Sequence, residues 1–293
     1  MARKERSIML VCRYSDGGRR GYGRVDRDHD GDRVVPVAYD GPTGRWVPRV
    51  GRARPVGEVT LLPPAEPTKI ACIALNHTSG GGPAAGGGRP AGAASSAVLL
   101  KPPSSLAGPE DTVGHPGAAW ELKHEAELAV VIGVRCKRVR PEYAAEVVAG
   151  YTCANDLTAY AKAPSGAGDG SAPAAYPPVW AKHFDRFTPL GPWLATDLDP
   201  AGVGITCRVD GETRQRGSTS DLITPVHEVI GVVSEHMTLE PGDVILTGTP
   251  AGSGPLSPGD RVEVSIGGIG TLRNTIAVAV ADHAASEERP CER

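Results

Sequence analysis

Glycine and proline punctuate this chain too densely for long helices. Of 293 residues, 38 are Gly and 27 are Pro, while aromatic residues make up only 4%. Both residue types interrupt regular elements, so the pattern favours short strands joined by many turns. The densest cluster is LNHTSGGGPAAGGGRPAG at 75–92, which holds seven glycines and two prolines between Gly80 and Gly92. At about 1 kcal/mol per interior Gly and about 3 kcal/mol per interior Pro, a helix there would cost on the order of 10 kcal/mol. That rivals the stability of a typical domain, roughly 5–15 kcal/mol, so the stretch reads as a flexible loop. It imitates a phosphate loop, but GGGRP lacks the Lys-Ser/Thr pair, and no nucleotide site is expected.

The remaining chain divides by pattern. Residues 1–65 read as a small β-rich domain: IMLVCRYS and RVVPVAY are strand-like, with DGG, HDGD and DGPTG as turns. PPAEPT at 63–68 reads as a linker, because stacked prolines favour an extended chain. From there to residue 282 lies a larger domain. KIACIAL, AELAVVIGV, GYTCAND, GITCRVDG, DVILTG, RVEVSI and TLRNTIAVAV read as strands. PEYAAEVVAG reads as a short helix with Pro141 in its first turn and Gly150 past its end. TPVHEVIGVVSEHM reads as a longer one, with Val226, Val229, Ile230 and Val233 at helical spacing. Two PGD turns, at 241–243 and 258–260, each launch a strand. APSGAGDGSAPAAYPPV at 163–179 reads as a lid-like loop, and residues 283–293 as a disordered tail.

Charge and cysteine usage exclude several classes. A net charge of -3 offers no basic surface for nucleic acid or an anionic membrane. No run approaches the roughly 18 apolar residues of a membrane span. The apolar stretch Ile8 to Cys12 is too short for a signal peptide. The six cysteines are scattered without a CxxC pair, which suits reduced thiols in a cytoplasm. DRDHDGD at 26–32 mimics the start of a calcium loop, yet Val37 stands where a bidentate Glu belongs, so it reads as a solvated turn. No GxSxG elbow marks a serine hydrolase.

Chemistry concentrates in WELKHEAELAVVIG. On a strand, Glu125 and Glu127 share a face just before a wholly apolar run. Buried there, two carboxylates need positive charge between them; at an exposed strand end they need only water. Asp156 closes the next apolar strand, AGYTCAND, so adjacent strand ends would join the three acids. Three carboxylates without His or Cys select a hard cation, Mg²⁺, Mn²⁺ or Ca²⁺, over zinc.

Over roughly residues 69–276 the chain resembles the fumarylacetoacetate hydrolase family. The resemblance rests on LLKPPSSLAGPEDTV, HEAELAVVIGVRCKRV, VVAGYTCAND, WAKHFDRFTPLGPWL, VDGETRQRGSTSDLI, LEPGDVILTGTPAG, LSPGDRVEVSIGGIG and TLRN, in order. It implies an α+β, β-rich roll of mixed sheets with a small N-terminal β domain, assembled as a homodimer and acting on a small molecule. It implies Mg²⁺ on Glu125, Glu127 and Asp156, with Lys182 of the K-x-F-D motif and Thr249 of the G-T-P-x-G turn contacting substrate oxygens.

Two departures stand out. Hydrolytic members carry Asn-Tyr-x-x-His-x-x-Glu, whose His and Glu activate water. Counted from Asn76, those positions hold His77, Gly80 and Pro83, and residues 78–97 contain no His, Asp or Glu. In Asp-x-Ser/Thr-x-Arg-x-x-Gln, Thr158 fits, but Tyr160 and Ala163 replace Arg and Gln. Tyr160 then becomes a substrate-side residue, and His77 a candidate substitute base. His124 faces away from Glu125. Three readings follow. The first is Mg²⁺-dependent enolate chemistry on a 2-oxo acid or 1,3-dicarbonyl: tautomerisation, decarboxylation or cyclisation. The second is a C–C bond hydrolase using a base such as His77. The third is a metal-binding scaffold without catalysis.

Overall fold

AELAVVI sets the frame: it forms the strand Ala126–Ile132, and every residue of it is buried. Burial on both faces demands an unbroken apolar run, which explains why the segment lacks polar alternation. Ala126, Leu128, Val130 and Ile132 point into one buried cluster, and Ala129 and Val131 into a second on the other face. Val148–Asn155 and Val244–Leu246 flank this strand antiparallel, and Ile70–Ile73 then runs parallel to Val244–Leu246.

The computed structural model describes residues 8–27, 29, 31–41, 45–78, 97–162 and 179–278. Nearly all of the glycine-rich loop, the 163–179 loop apart from Val179, and the tail lie outside the described residues.

Among those residues the strands form three sheets, the largest of 13 strands. Its path runs from Arg45–Pro48 through Arg33–Asp40, Arg19–Asp26, Leu10–Asp16, Thr188–Ala195 and Val148–Asn155 to the central strand, ending at Val98–Lys101. A second sheet holds Thr112–His115, Gly270–Val278, Arg261–Ile266, Gly204–Val209 and Glu212–Ser218. One buried cluster joins the two, with Leu128 and Val130 among Ile205, Val264 and Leu272. A third, small sheet is Thr158–Ala161, Trp120–Lys123 and Pro255–Leu256. The architecture is the β-rich, mixed-sheet α+β arrangement that the family resemblance implies, built from the short strands that the turn-dense sequence favours.

The helix Val226–His236 buries Val226, Val229, Ile230 and Val233, as their spacing requires. PEYAAEVVAG departs from expectation. It forms a 3₁₀ segment, Pro141–Val147, and Gly150 belongs to the following strand. Val147 and Val148 favour extended backbone, and the chain passes directly from this segment into the strand that starts at Val148. Gly150 is required there by crowding, since a Cβ would stand 2.7 Å from Leu194 Cγ.

The N-terminal strands continue the main sheet, because Leu10 and Val11 pair with Ala195 and Leu194. PPAEPT is packed and not merely extended, with Pro64, Ala65 and Pro67 buried. Asp243 of the first PGD turn anchors it. The carboxylate accepts from Thr68 N and Oγ1 at 2.9 and 2.8 Å, Lys69 N at 3.1 Å and Glu240 N at 2.8 Å, and pairs with the Lys69 ammonium. Burial alone would raise its pKa, but the Glu240 N–H, Lys69 and Thr68 outweigh that and hold it below the ordinary carboxylate value.

Replacing Asp243 by Ala removes all of these acceptors at once and is expected to cost about 3 kcal/mol of unfolding free energy at neutral pH. A carboxylate whose folded pKa is depressed stabilises above its unfolded value, about 3.9, and loses that contribution as pH falls through the folded value. Urea melts of wild type and Asp243→Ala should therefore differ fully at pH 7 and draw together only as pH falls below about 3.9 toward the folded value.

Candidate functional site

Three carboxylates meet where two central strands end. Ala126 pairs with Asn155, so Glu125 and Asp156 lie next to one another just beyond the ladder. Asp156 N donates to Glu125 O at 2.8 Å, and Glu125 N donates to Asn155 Oδ1 at 2.9 Å, which fixes both backbones. Glu127 projects from the face shared with Ala129. One oxygen from each of Glu125, Glu127 and Asp156 lies within 4.8 Å of the others. Glu127 and Asp156 are buried, and Glu125 is partly so.

Two buried lysines face them. Lys101, the last residue of Val98–Lys101, donates to Asp156 Oδ1 at 2.7 Å and to Phe187 O at 2.6 Å. Lys182, at the end of the 3₁₀ turn Val179–Lys182, donates to Asp156 Oδ2 at 2.5 Å, Thr158 Oγ1 at 2.7 Å and Glu125 Oε2 at 2.9 Å. Asp156 thus has an ammonium on each oxygen. Burial alone would raise its pKa, but Lys101 and Lys182 outweigh burial and hold it below the ordinary value. Lys182 also resists burial: Asp156 and Glu125 keep its pKa well above that of a free lysine. Glu125 is raised by burial, which Lys182 only partly offsets.

Glu127 is the least compensated of the three. Its hydrogen bond comes from Gly248 N at 2.6 Å, and burial together with the nearby Asp156 drives its pKa well above the usual range. Gly248 is needed for that contact. Its φ is +111°, and a Cβ would stand 2.9 Å from Asn76 Cβ. Asn76 pins the same turn, donating to Thr247 O at 2.8 Å and Thr224 O at 3.0 Å and accepting from Thr224 N at 2.8 Å. An all-oxygen donor set with three negative charges against two positive ones, and one carboxylate held by a single N–H, fits a hard divalent cation.

The other expected residues fall into two groups. Tyr160 reaches the cluster, with its hydroxyl 3.5 Å from Glu125 Oε1. Burial and Glu125 raise its pKa. Thr249 donates its hydroxyl proton to Ala126 O at 2.9 Å and accepts from Gln215 Nε2 at 2.8 Å. His77 is buried in a bridge with Leu222, and its ring lies beside Gly217. His124 turns away from the acids, as alternation requires, and its Nδ1 is 2.9 Å from Gln215 Oε1.

Lys101 and Gln215 were not singled out from sequence. Gln215 accepts from Ala126 N at 3.0 Å and donates to Pro250 O at 2.8 Å, tying the start of the central strand to the G-T-P turn. Nothing in a lone Gln announces that. Lys101 did leave a signal, because a lysine closing an apolar strand must find an anion if it is buried.

Comparisons with known proteins place the chain in a family. Residues 69–277 match the family described as Fumarylacetoacetate (FAA) hydrolase C-terminal, and residues 9–64 match Rv2993c-like, N-terminal. The chain is 35% identical over 235 residues to the mitochondrial oxaloacetate tautomerase FAHD2A of Homo sapiens, covering 76% of this chain and 71% of that protein. A solved structure of 5-carboxymethyl-2-hydroxymuconate delta-isomerase from Mycobacterium smegmatis superimposes with a TM-score of 0.76 at 34% identity, over 92% of this chain and 100% of that one. Maleylpyruvate hydrolase from Sphingobium sp. SYK-6, in complex with manganese(II) and pyruvate, superimposes with a TM-score of 0.69 at 28% identity, over 92% and 99%.

Lys101→Met deletes the cation on one Asp156 oxygen and leaves the Phe187 carbonyl without that donor. Breaking a buried pair from one side costs about 3–5 kcal/mol. Chemical denaturation should show a loss of that size, and a change below about 1 kcal/mol would mean that the buried pair contributes little.

Proposed function

The chain belongs to the fumarylacetoacetate hydrolase family, and on that premise we propose that it is a Mg²⁺-dependent enzyme of enolate chemistry. In this reading it tautomerises, decarboxylates or cyclises a 2-oxo acid or 1,3-dicarbonyl substrate without hydrolysing it. The observation that carries the proposal is the pairing of a carboxylate cradle with donors that stay protonated. Glu125, Glu127 and Asp156 would hold the cation. When bound, the cation supplies a Lewis acid that lowers the cost of negative charge on substrate oxygens.

The chain's own groups supply the rest. Lys182 remains an ammonium at neutral pH because Asp156 and Glu125 keep its pKa high. It therefore acts as a cation and not as a base. Its three protons go to Asp156, Thr158 and Glu125, and it would reach a substrate oxygen by exchanging the Glu125 bond once that carboxylate turns to the cation. Tyr160, also held protonated, offers a second donor beside Glu125. Such preorganised donors stabilise the enolate oxygen; in tautomerisation the C3 proton passes to a solvent base, and in decarboxylation the enolate forms as CO₂ leaves. Hydrolysis needs in addition a base that deprotonates water, and the family's two base positions are Gly80 and Pro83 here. The names of the human tautomerase and the mycobacterial isomerase support reactions of this kind. The Sphingobium complex supports a divalent metal and a 2-oxo acid. We take the working form to be a cytoplasmic homodimer acting on a small molecule, without nucleic acid or membrane. None of the described helices is long and apolar enough to cross a membrane.

The test is NMR in heavy water with Mg²⁺, oxaloacetate and a panel of acylpyruvates. Exchange of the C3 protons without carbon–carbon cleavage to acids is the expected result. Cleavage into two acids would replace this reading with a hydrolase whose base is His77 or another residue. Tight Mg²⁺ binding with neither reaction would leave the scaffold reading. Glu127→Ala should abolish Mg²⁺ binding in calorimetry, and survival of both binding and activity would overturn the site.

A further inference from the structure

The donors around the carboxylate cluster are nearly all committed. Lys101 gives its protons to Asp156, Phe187 O and Leu157 O. Lys182 gives its three to Asp156, Thr158 and Glu125. The Thr158 proton goes to Asp156 O and the Thr249 proton to Ala126 O. Both protons of the Gln215 amide go to Thr249 and Pro250. Tyr160 differs. Its hydroxyl reaches Glu125 Oε1 only at 3.5 Å, well beyond the length of about 2.8 Å typical of an O–H···O bond. Among these donors its proton is the least committed, so handing it to a ligand breaks the least.

That phenol is held from the neighbouring strand. Trp120–Lys123 pairs antiparallel with Thr158–Ala161, which sets Glu121 opposite Tyr160 and Lys123 opposite Thr158. Leu122 and Ala159 are fully buried on one face, so Tyr160, Glu121 and Lys123 share the other. Lys123 Nζ stands over the Tyr160 ring, 4.5 Å from its centroid. Glu121 Oε1, 2.9 Å from the same ammonium, tethers it there. We propose that Lys123 is a positioning residue that acts through Tyr160: its ammonium holds the ring with the hydroxyl toward the cluster and strengthens that hydroxyl as a donor to the oxygen that becomes the enolate. The inference rests on the enolate reading of the site.

Two physical effects converge on the phenol. A cation attracted to an aromatic face narrows the orientations that the Tyr160 ring samples before a substrate arrives. Positive charge beside a phenol also favours electron density moving onto its oxygen. Density moves that way as the hydroxyl donates to a developing enolate. The second effect grows along the reaction path, so it lowers the barrier without tightening substrate binding. Lys123 pairs with Glu121 and with none of Glu125, Glu127 and Asp156, so the arrangement stands whether or not those three hold a cation. An ordinary surface pair of Glu121 and Lys123 would have neither effect.

Carbon-13 NMR of the metal-free protein, with tyrosine labelled at Cζ, reads the contact directly. The signal lost in Tyr160→Phe is that of Tyr160. It should shift in Lys123→Met and Lys123→Gln and stay near its wild-type position in Lys123→Arg, which keeps a cation over the ring. Unmoved signals from the other tyrosines report an intact fold. The consequence is read from C3 proton exchange in heavy water, with saturating Mg²⁺ and the 2-oxo acid that wild type exchanges fastest. Lys123→Met should lower kcat about two- to fivefold, the scale of an exposed cation–π contact, with KM unchanged. Lys123→Arg should restore most of that loss. In a Tyr160→Phe background, Lys123→Met should have no further effect, because the group it acts through is gone. A Tyr160 signal that stays in place, or an equal loss of kcat in both backgrounds, overturns the role of Lys123. A loss confined to KM makes Lys123 a substrate-binding charge and overturns it as well. Exchange by wild type no faster than with Mg²⁺ alone overturns the enolate reading, and this role with it.

Discussion

Asp156 held between Lys101 and Lys182 is the contact around which the site is arranged. A carboxylate at the end of a fully buried strand is untenable alone, since desolvation of one charge costs several kcal/mol. Two ammonium groups, at 2.7 and 2.5 Å, make it tenable. Each lysine arrives from a different segment: Lys101 from the edge strand of the main sheet and Lys182 from the turn before Thr188–Ala195. Their convergence holds those segments against the ends of Ala126–Ile132 and Val148–Asn155. The charge network is therefore a structural clamp as well as the floor of the candidate site. That double use explains why Asp156 is depressed and Glu127 raised within one cluster. The lysines saturate the first acid and leave the second with one N–H.

What the sequence made readable follows from periodicity. A run such as AELAVVI has one interpretation, and the helix Val226–His236 shows its apolar stripe directly. The juxtaposition of Glu125, Glu127 and Asp156 followed from strand ends alone, and the structure brings them together. Elements whose cause is tertiary were harder. Thr188–Ala195 contains two prolines, which argue against a central strand, yet it is wholly buried. Its register with Val148–Asn155 shifts between Tyr151 and Cys153, and Pro192 sits in that irregular stretch. Trp120–Lys123 and Thr158–Ala161 are four residues each, too short for alternation to stand out. The joining of the N-terminal strands to the main sheet rests on the pairing of Leu10 and Val11, which no local pattern announces. Gln215 shows the same limit at the site, where a single polar side chain ties together four groups from distant parts of the chain.

The glycine-rich stretch gains meaning from its flanks. Asn76 and His77 precede it, and Asn76 is fully engaged in holding the Thr247–Gly248 turn. The anchor of the family's water-activating segment is thus retained as architecture, while the residues that would activate water are absent from positions 78–97. The enolate chemistry proposed above would use both halves of this pattern, because the turn that Asn76 pins also presents the N–H to Glu127.

Glu127 and Asp243 make the same point by contrast. Both are buried carboxylates at the ends of sheet strands, and on burial alone both would be raised. Asp243 gathers donors from Thr68, Lys69 and Glu240 and is driven down, so its charge is spent on joining the 63–68 segment to the PGD turn. Glu127 gathers one backbone N–H and stays raised. Asp243 is thus satisfied without any ligand. An acid left short of donors costs stability unless something positive completes it. Of the three carboxylates at the candidate site, Glu127 is therefore the one through which a bound cation would most change the protein's stability.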